Sequence, residues 1–525
     1  MNGPLNRRRF LSGLGMAAAG AVIAACAGPQ ATPTTAPAPT QAPAAQATTA
    51  PAPTTAAAPT TAAAPTTAAA PTTAAKPTTA AATTPAAATT PAAAAAYKAD
   101  VKGKVTWLVR STPEENKGQA EVFEPLIKKY LPSLQVERII IPSDQYIPKI
   151  NSMAAANESL EIWGFGGNYF DYWARGLPQE VSSYIQADNW DVKSYFLPGL
   201  PDKYTIGGKQ YGLNQLTCFG SCIVYNRTAF DKAGIPPLPT SWDDETWTTD
   251  KLIEVSTKLT KDFGKPTGFY GVAVRVWPEE DGLSYLWGAD PWLPEHYTNF
   301  IAPKTQINQQ AIIDAFQWKQ DLIYKQKVHP DPAINTALTQ VGDPFQTGRI
   351  GMDLDGGWVF WTGHSIKDFK VNYAPLPLGK TRKNVTFNDF WIMGRWSSNK
   401  DGAWQVMRVL TSVEGTKGYS LNSGTPPTVR DSLDTWLKGV SDFTGMTTDQ
   451  LREVTVGGID KGRAQESPDH LFLQHPKIQD AWDAAIDPLW KNQGDAKTII
   501  PQVATTMDKV VNDVYTQFKD KIPAH

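Results

Sequence analysis

Between Cys26 and Tyr97 the chain is written almost entirely in Ala, Thr and Pro, which confines any packed fold to the residues from Tyr97 onward. Pro53, Pro59, Pro65, Pro71 and Pro77 stand in register within a Pro-Thr-Thr-Ala-Ala-Ala repeat, and no acidic residue interrupts the tract. With no large side chains to bury, such a segment cannot offset the entropy of ordering its backbone, so 27–96 is expected to be a disordered linker. A coil of about 70 residues has a mean span of roughly 50 Å, and polyproline II of that length reaches at most about 200 Å. The regular threonines also suit an O-glycosylated stalk. All 18 tryptophans and all 17 tyrosines lie in 97–525, a portion long enough for two or three domains with ample cores.

The chain opens with Arg7-Arg8-Arg9-Phe10-Leu11, and an apolar run of small residues extends from Leu14 to Ala25. A basic start, a short apolar segment and a cut site predict an export signal over 1–26, too short and too rich in Ala and Gly for a membrane span. Asn6 to Leu11 resembles a twin-arginine export motif, with Asn where Ser or Thr is usual. Ile23-Ala24-Ala25-Cys26 resembles a bacterial lipobox, which implies lipidation of Cys26 and a place on the outer face of the cytoplasmic membrane. An ordinary cleaved secretory signal is the alternative.

Leaving out Arg7, Arg8, Arg9 and Lys76, the remaining part carries 45 basic against 51 acidic residues. A net charge near −6 argues against nucleic acid and against an anionic membrane surface as partners. No hydrophobic run after the leader approaches a membrane span. Cys218 and Cys222 remain in Cys-Phe-Gly-Ser-Cys. In a straight strand their Cα atoms would stand about 13 Å apart, too far for a bridge. Gly220 can bend the segment, so a disulfide is expected, with two free buried thiols as the alternative. The scattered histidines show no metal-ligand spacing, and no metal or cofactor is expected.

Lys104–Val109 reads as a buried strand, followed by a helix from Glu114 with Ala120, Phe123, Ile127 and Tyr130 at helical spacing. Gln135–Ile141 predicts the next strand, Ser143 the cap of a second helix, and Leu160–Trp163 a third strand. Strand and helix alternate, so an α/β fold with a parallel sheet and helices on both faces is expected. Ligands of such sheets sit beyond the carboxyl ends of the strands. Gly164-Phe165-Gly166 is no dinucleotide fingerprint, because no third Gly stands at Tyr169 and Asp171 is too close to serve as the ribose acid.

Gly207-Gly208-Lys209-Gln210-Tyr211-Gly212-Leu213 leads into Ile223-Val224-Tyr225-Asn226, then Ala229-Phe230-Asp231-Lys232-Ala233-Gly234-Ile235-Pro236-Pro237 and Thr240-Ser241-Trp242-Asp243. Gly234 reads as a helix end, and Thr240 or Ser241 as the cap of the next helix. This block resembles the bacterial extracellular solute-binding proteins of family 1, the maltose-binding-protein-like class that serves ABC sugar importers. Phe345–Met352 with Gly356-Gly357-Trp358, Ala374–Gly379, and the helix carrying Ala403, Val406, Met407 and Leu410 resemble further family segments in the same order. The Cys218–Cys222 segment and the turn around Glu245-Thr246-Trp247 depart from the common pattern.

The resemblance implies a two-lobed periplasmic-binding-protein-like fold of type II, with ligand in a cleft between the lobes. Carried over, one lobe is 101–214 with 386–440, and the other 215–385 with 441–525. It also implies no turnover, an ABC permease and a sugar or oligosaccharide as partners, a lipid-anchored monomer, and no nucleic acid. A pyranose offers a C–H face for aromatic rings and hydroxyls for planar polar groups. Ligand contacts are therefore expected from Trp107 and Arg110 at the first strand, and from Asn168, Tyr169, Phe170 and Asp171 after the third. Phe219 lies in the cysteine segment; Trp277, Glu279 and Trp287 follow Val272–Val274; Trp358 and Trp361 follow Gly356-Gly357. Asn388, Asp389 and Trp391 stand at the return crossing between lobes. Trp107 and Trp391, inside apolar strands, read as core before ligand contact, and Trp242 as structural. The rival readings are a secreted carbohydrate-active enzyme, for which Asp353 and Asp355 share a strand face, and a binding lobe without an importer.

Overall fold

The computed structural model describes residues 97–143, 145–164, 169–275, 281–467 and 471–521, without the side chains of Cys218, Asp281 and Asn384. The expected export signal, Cys26 and the linker lie outside the described residues. Strands β1 (Gly103–Arg110), β2 (Leu134–Ile141) and β3 (Ile162–Gly164) form where the apolar runs predict them. They pair in parallel, with β1 central between β2 and β3. Val105, Trp107 and Val109 are buried on one face of β1 and Leu108 on the other, as a strand covered on both faces requires.

The helix predicted from Glu114 is present but interrupted. Helices Pro113–Gly118 and Glu124–Tyr130 flank a π-helical segment, Gln119–Phe123. Pro125 supplies no N–H to the ladder at that point, which favours such a break. Ser143 does not cap the second helix. That helix is Tyr146–Ala155, with Gln145 at its N-cap and no side-chain cap, because the Gln145 N–H turns back to Pro142 O at 2.9 Å.

Two short strands, β4 (Thr205–Ile206) and β5 (Lys209–Gln210), form a separate hairpin. Strand β6 (Leu213–Cys218) runs directly into β7 (Cys222–Asn226), and there the chain changes sheets. β7 lies in a second sheet with β8 (Tyr270–Val274), β9 (Ile350–Asp355) and β10 (Val371–Ala374), in the order β10-β7-β9-β8. β8 and β9 are parallel, while β7 is antiparallel to both β9 and β10. The long strand β11 (Asn384–Met393) returns to the first sheet, antiparallel to β3 and to β6. Its first residues pair in parallel with β12 (Ala464–Glu466). The parallel expectation thus holds for β1 to β3, and the first sheet is mixed because β11, returning from the second, runs antiparallel to β3 and β6.

Each sheet has its own apolar core. Val105, Trp107, Phe123, Trp391 and Trp404 pack on one side of the first sheet, and Leu108, Trp163, Tyr169 and Phe390 on the other. Ile223, Val272, Met352, Phe316 and Trp482 define the largest cluster on the second, and Val224, Tyr270, Phe360 and Trp436 its other side. The helix after β7, Arg227–Lys232, is capped by Asn226 Oδ1 at 2.8 Å from Ala229 N and ends at Gly234, whose φ is +65°. Neither Thr240 nor Ser241 caps the following helix. Ser241 Oγ accepts the Asp243 N–H at 3.1 Å, and Thr248 caps Thr249–Leu259 instead. No helix among the described residues is long and apolar enough to cross a membrane.

Two buried histidines make stability depend on pH. His296 packs against Trp292 at 5.3 Å and Phe472 at 5.0 Å, and burial lowers its pKa to about 4. His329 is lowered to about 3, by burial and then by nearby Lys319. Above an ordinary value near 6.5 both are neutral folded or unfolded; below it the unfolded chain takes protons that the fold refuses. The contribution of neutral burial is therefore present above pH 6.5 and lost as pH falls from 6.5 toward 4. The slope is roughly 1.4 kcal/mol per pH unit for each histidine. Denaturant midpoints measured between pH 7 and 4.5 are expected to fall less steeply for His296→Leu than for the unaltered protein. Equal slopes would contradict this.

Candidate functional site

The first sheet ends in charge where its parallel strands stop. Arg110, the last residue of β1, is buried, and its Nε and Nη2 donate to Glu115 Oε2 and Oε1 at 2.8 and 3.2 Å. Glu115 sits in the first turn of the next helix, Pro113–Gly118. Arg110 Nη2 also reaches Asp389 Oδ2 on β11 at 3.5 Å. Burial opposes the charge on this guanidinium, but Glu115 and Asp389 outweigh it and raise its pKa.

Alternate residues of a strand share a face, so Val385, Phe387 and Asp389 of β11 do. Phe387 meets the Trp358 ring at 5.1 Å, and Trp358 and Trp361 pack against the small cluster of Leu216, Tyr285, Val385 and Phe387. Successive positions on one strand face are about 7 Å apart. The crossing strand therefore sets an aromatic platform from the second sheet beside an ion pair from the first. Trp361 Nε1 is buried with no partner among the described residues.

Trp358 comes after the Gly356-Gly357 turn at the end of β9 and precedes the helix Val359–Ser365. A Cβ at Gly356 would overlap the Trp358 ring, so glycine is what lets the indole lie there. The Asp355 Oδ1 accepts the Gly356 N–H at 2.8 Å. Arg275, just past β8, bonds Asp353 through Nε at 2.9 Å and again through Nη2, reaches Asp343 at 3.1 Å, and stands 3.6 Å from Asp355. Three carboxylates thus share one guanidinium. Burial first, opposed by Arg275, raises the pKa of both Asp353 and Asp355. Arg275 was not anticipated, since nothing local marks it as the partner of residues on β9.

On the other face of β11, Asn388 Nδ2 donates to Glu466 Oε1 and Oε2 at 3.2 and 3.1 Å, and its Oδ1 is buried without a partner among the described residues. Glu466 on β12 pairs with Lys203 at 2.8 Å. An acid in a three-residue strand leaves no sequence signature, so this contact too went unforeseen.

The remaining expected contacts are distributed elsewhere. Trp107 and Trp391 are buried in the first core, edge to face at 5.7 Å, and the bare Gly164 admits the Trp391 ring. Tyr169 is buried between Tyr204 and Phe390 at 4.7 and 5.1 Å. Phe170, also buried, stacks on Phe300 with centroids 3.4 Å apart. Asp171 pairs with Arg175 at 3.3 Å and accepts the Gln474 N–H at 3.4 Å. Phe219 packs on Trp436 at 5.6 Å, and Trp287 on Trp318 at 5.2 Å in the large core of the second sheet. Asn168, Trp277 and Glu279 lie outside the described residues.

The expected disulfide is not formed: Cys222 is a free, buried thiol. Cys218 stands in register with Phe387 in the first sheet and Cys222 with Asp355 in the second. The residues between them carry the chain from sheet to sheet, with Ser221 N bonded to Val385 O at 3.0 Å. The connection is a crossing rather than a closed loop. Burial, then Asp355 and Asp353, raises the Cys222 pKa, which keeps the thiol protonated and inert.

Known proteins share this fold. The profile of the bacterial extracellular solute-binding protein family matches residues 116–417, more than half of the chain, so the chain belongs to that family. A binding protein of Brucella abortus strain 2308 is 20% identical over 421 residues, 77% of this chain and 93% of its own length. An ABC substrate-binding protein of Listeria monocytogenes, solved in complex with cycloalternan, superposes with a TM-score of 0.65 at 17% identity, covering 79% of this chain and 99% of that one. Maltose-bound MalE3 of T. maritima superposes at 0.61 with 18% identity, covering 78% and 99%. The fold is accordingly the two-lobed α/β fold of these binding proteins.

Proposed function

We propose that the protein is the substrate-binding component of an ABC importer and binds a sugar or oligosaccharide reversibly between its two sheets. The observation that carries this is the meeting, on one face of β11, of Trp358 at Phe387 and of Arg110 at Asp389. An aromatic face beside fixed, planar charged groups suits a pyranose, which is apolar on its ring faces and hydroxylated at its rim. The ligands named for the two structural relatives, cycloalternan and maltose, are of this class. Both sheets contribute to the site, so a bound sugar favours the lobe arrangement in which all contacts are made, and that arrangement is what a permease reads.

No turnover is part of the proposal. Asp353 and Asp355, the pair an enzyme reading would use, are both committed to Arg275. A lipidated Cys26 and a flexible tract would keep the binder within roughly 50 Å of its importer, raising effective concentration at the membrane. Export by the twin-arginine route would require the lobes to fold first, which suits lobes assembled from distant segments.

A thermal-shift screen against a carbohydrate panel tests the reading. At least one sugar is expected to raise the unfolding midpoint with concentration, by about 2.7 kcal/mol of stabilisation at a hundredfold excess over Kd. A shift seen only with peptides, polyamines or metal ions would make the sugar assignment wrong.

A further inference from the structure

We propose that Gln215 is a specificity-determining residue of the sugar site, its side-chain amide oxygen accepting a hydrogen bond from one sugar hydroxyl. This rests on the sugar-binding reading and adds to it a residue of β6, the strand that leads from the first sheet into the second.

β6 and β11 run antiparallel, and their register shifts once. Asp389 pairs with Leu216 and Phe390 with Asn214, which leaves Gln215 as the extra residue of a β-bulge. Trp391 pairs with Leu213 and lies on the same face of β11 as Asp389. Leu213 and Leu216 therefore share a face, although strict alternation over three positions would separate them. The bulge brings Gln215 to that face as well. A Cβ at Gly164, the partner of Trp391 on β3, would overlap both the Trp391 ring and the Gln215 amide oxygen. Gln215 thus stands at the carboxyl end of β3, on the face that carries Phe387 and the Asp389–Arg110 pair.

The amide oxygen is buried without a partner among the described residues. The side chain as a whole is half-buried, while Leu213, Asn214, Leu216 and Thr217 are fully buried. A buried acceptor left unpaired costs stability, so its retention where ligands of such sheets sit points to a group completed by ligand. A sugar hydroxyl is the complementary donor, and Trp358 at Phe387 serves the ring's C–H face. A sugar lacking that hydroxyl leaves the oxygen orphaned, so Gln215 selects for the hydroxyl's presence and orientation.

Gln215→Met keeps the length of the side chain and removes its polar atoms. The first arm of the test is the denaturant midpoint of the ligand-free protein, which is expected to rise when an orphaned acceptor is removed. An unchanged or lower midpoint would mean that the amide is satisfied within the fold, and would overturn the proposal. The second arm is calorimetric affinity for glucose, galactose, mannose, maltose and maltotriose, followed by the monodeoxy analogues of the tightest binder. Gln215→Met is expected to weaken the tightest binder by about 3- to 20-fold, and to weaken one monodeoxy analogue by under about 2-fold, because hydroxyl and amide form a single contact. Equal losses with every analogue would mark Gln215 as merely structural and overturn the assignment. If the unaltered protein binds none of these sugars, the functional reading fails and the proposal with it; binding that the variant leaves unchanged overturns the proposal alone.

Discussion

Trp358→Ala is expected to weaken sugar binding by about 1–3 kcal/mol, roughly 5- to 150-fold in Kd, with a smaller effect on stability. The asymmetry comes from where the ring sits. It is half-buried and packed on Phe387, so truncation removes a platform rather than opening a cavity in a core. Trp391 provides the contrast: fully packed against Trp107, its replacement by Ala should cost about 3–5 kcal/mol of stability. Titration calorimetry and denaturant unfolding on the Trp358 variant separate the two outcomes. Unchanged affinity with a large loss of stability would place Trp358 in the core and remove it from the site.

Arg110→Leu is expected to destabilise the protein by about 3–5 kcal/mol, because it leaves the buried carboxylates of Glu115 and Asp389 without their counter-ion. The leucine covers most of the same apolar surface, so the loss is electrostatic. Denaturant midpoints for the variant and the unaltered protein at pH 7 measure this. A deficit under about 1 kcal/mol would contradict it.

The fold was legible where its signals are local. The runs at β1, β2 and β3 are apolar and bounded by polar chain, and Gly234 ends its helix as read. Caps were less legible: Ser143, Thr240 and Ser241 are chemically able to cap, but the chain turns at Pro142–Gln145 and at Ser241–Asp243 before either helix starts. The crossings were hardest. β6 to β7 reads equally as a bent loop or a change of sheet, and only the pairing of Cys218 with Phe387 and Cys222 with Asp355 decides between them.

The same limit holds at the site. Arg110, Asp389 and Trp358 can be picked out as strand-end or turn residues of the right chemistry. Arg110 and Asp389 are 279 residues apart in the chain, and Arg275 and Asp353 are 78 apart. Nothing in either neighbourhood encodes those partnerships, because register between distant strands is a property of the assembled sheet. Glu466, Phe387 and Phe300 were unreadable for that reason: each matters through what a remote element brings against it.

Titration calorimetry of the protein with mono- and oligosaccharides, with the sugar recovered afterwards and analysed by mass spectrometry, tests the central claim most directly. Saturable binding at one site, a negative heat-capacity change from burying apolar surface, and sugar returned intact are the predicted result. Absence of binding across the panel, or recovery of the sugar as cleaved or altered product, would contradict it.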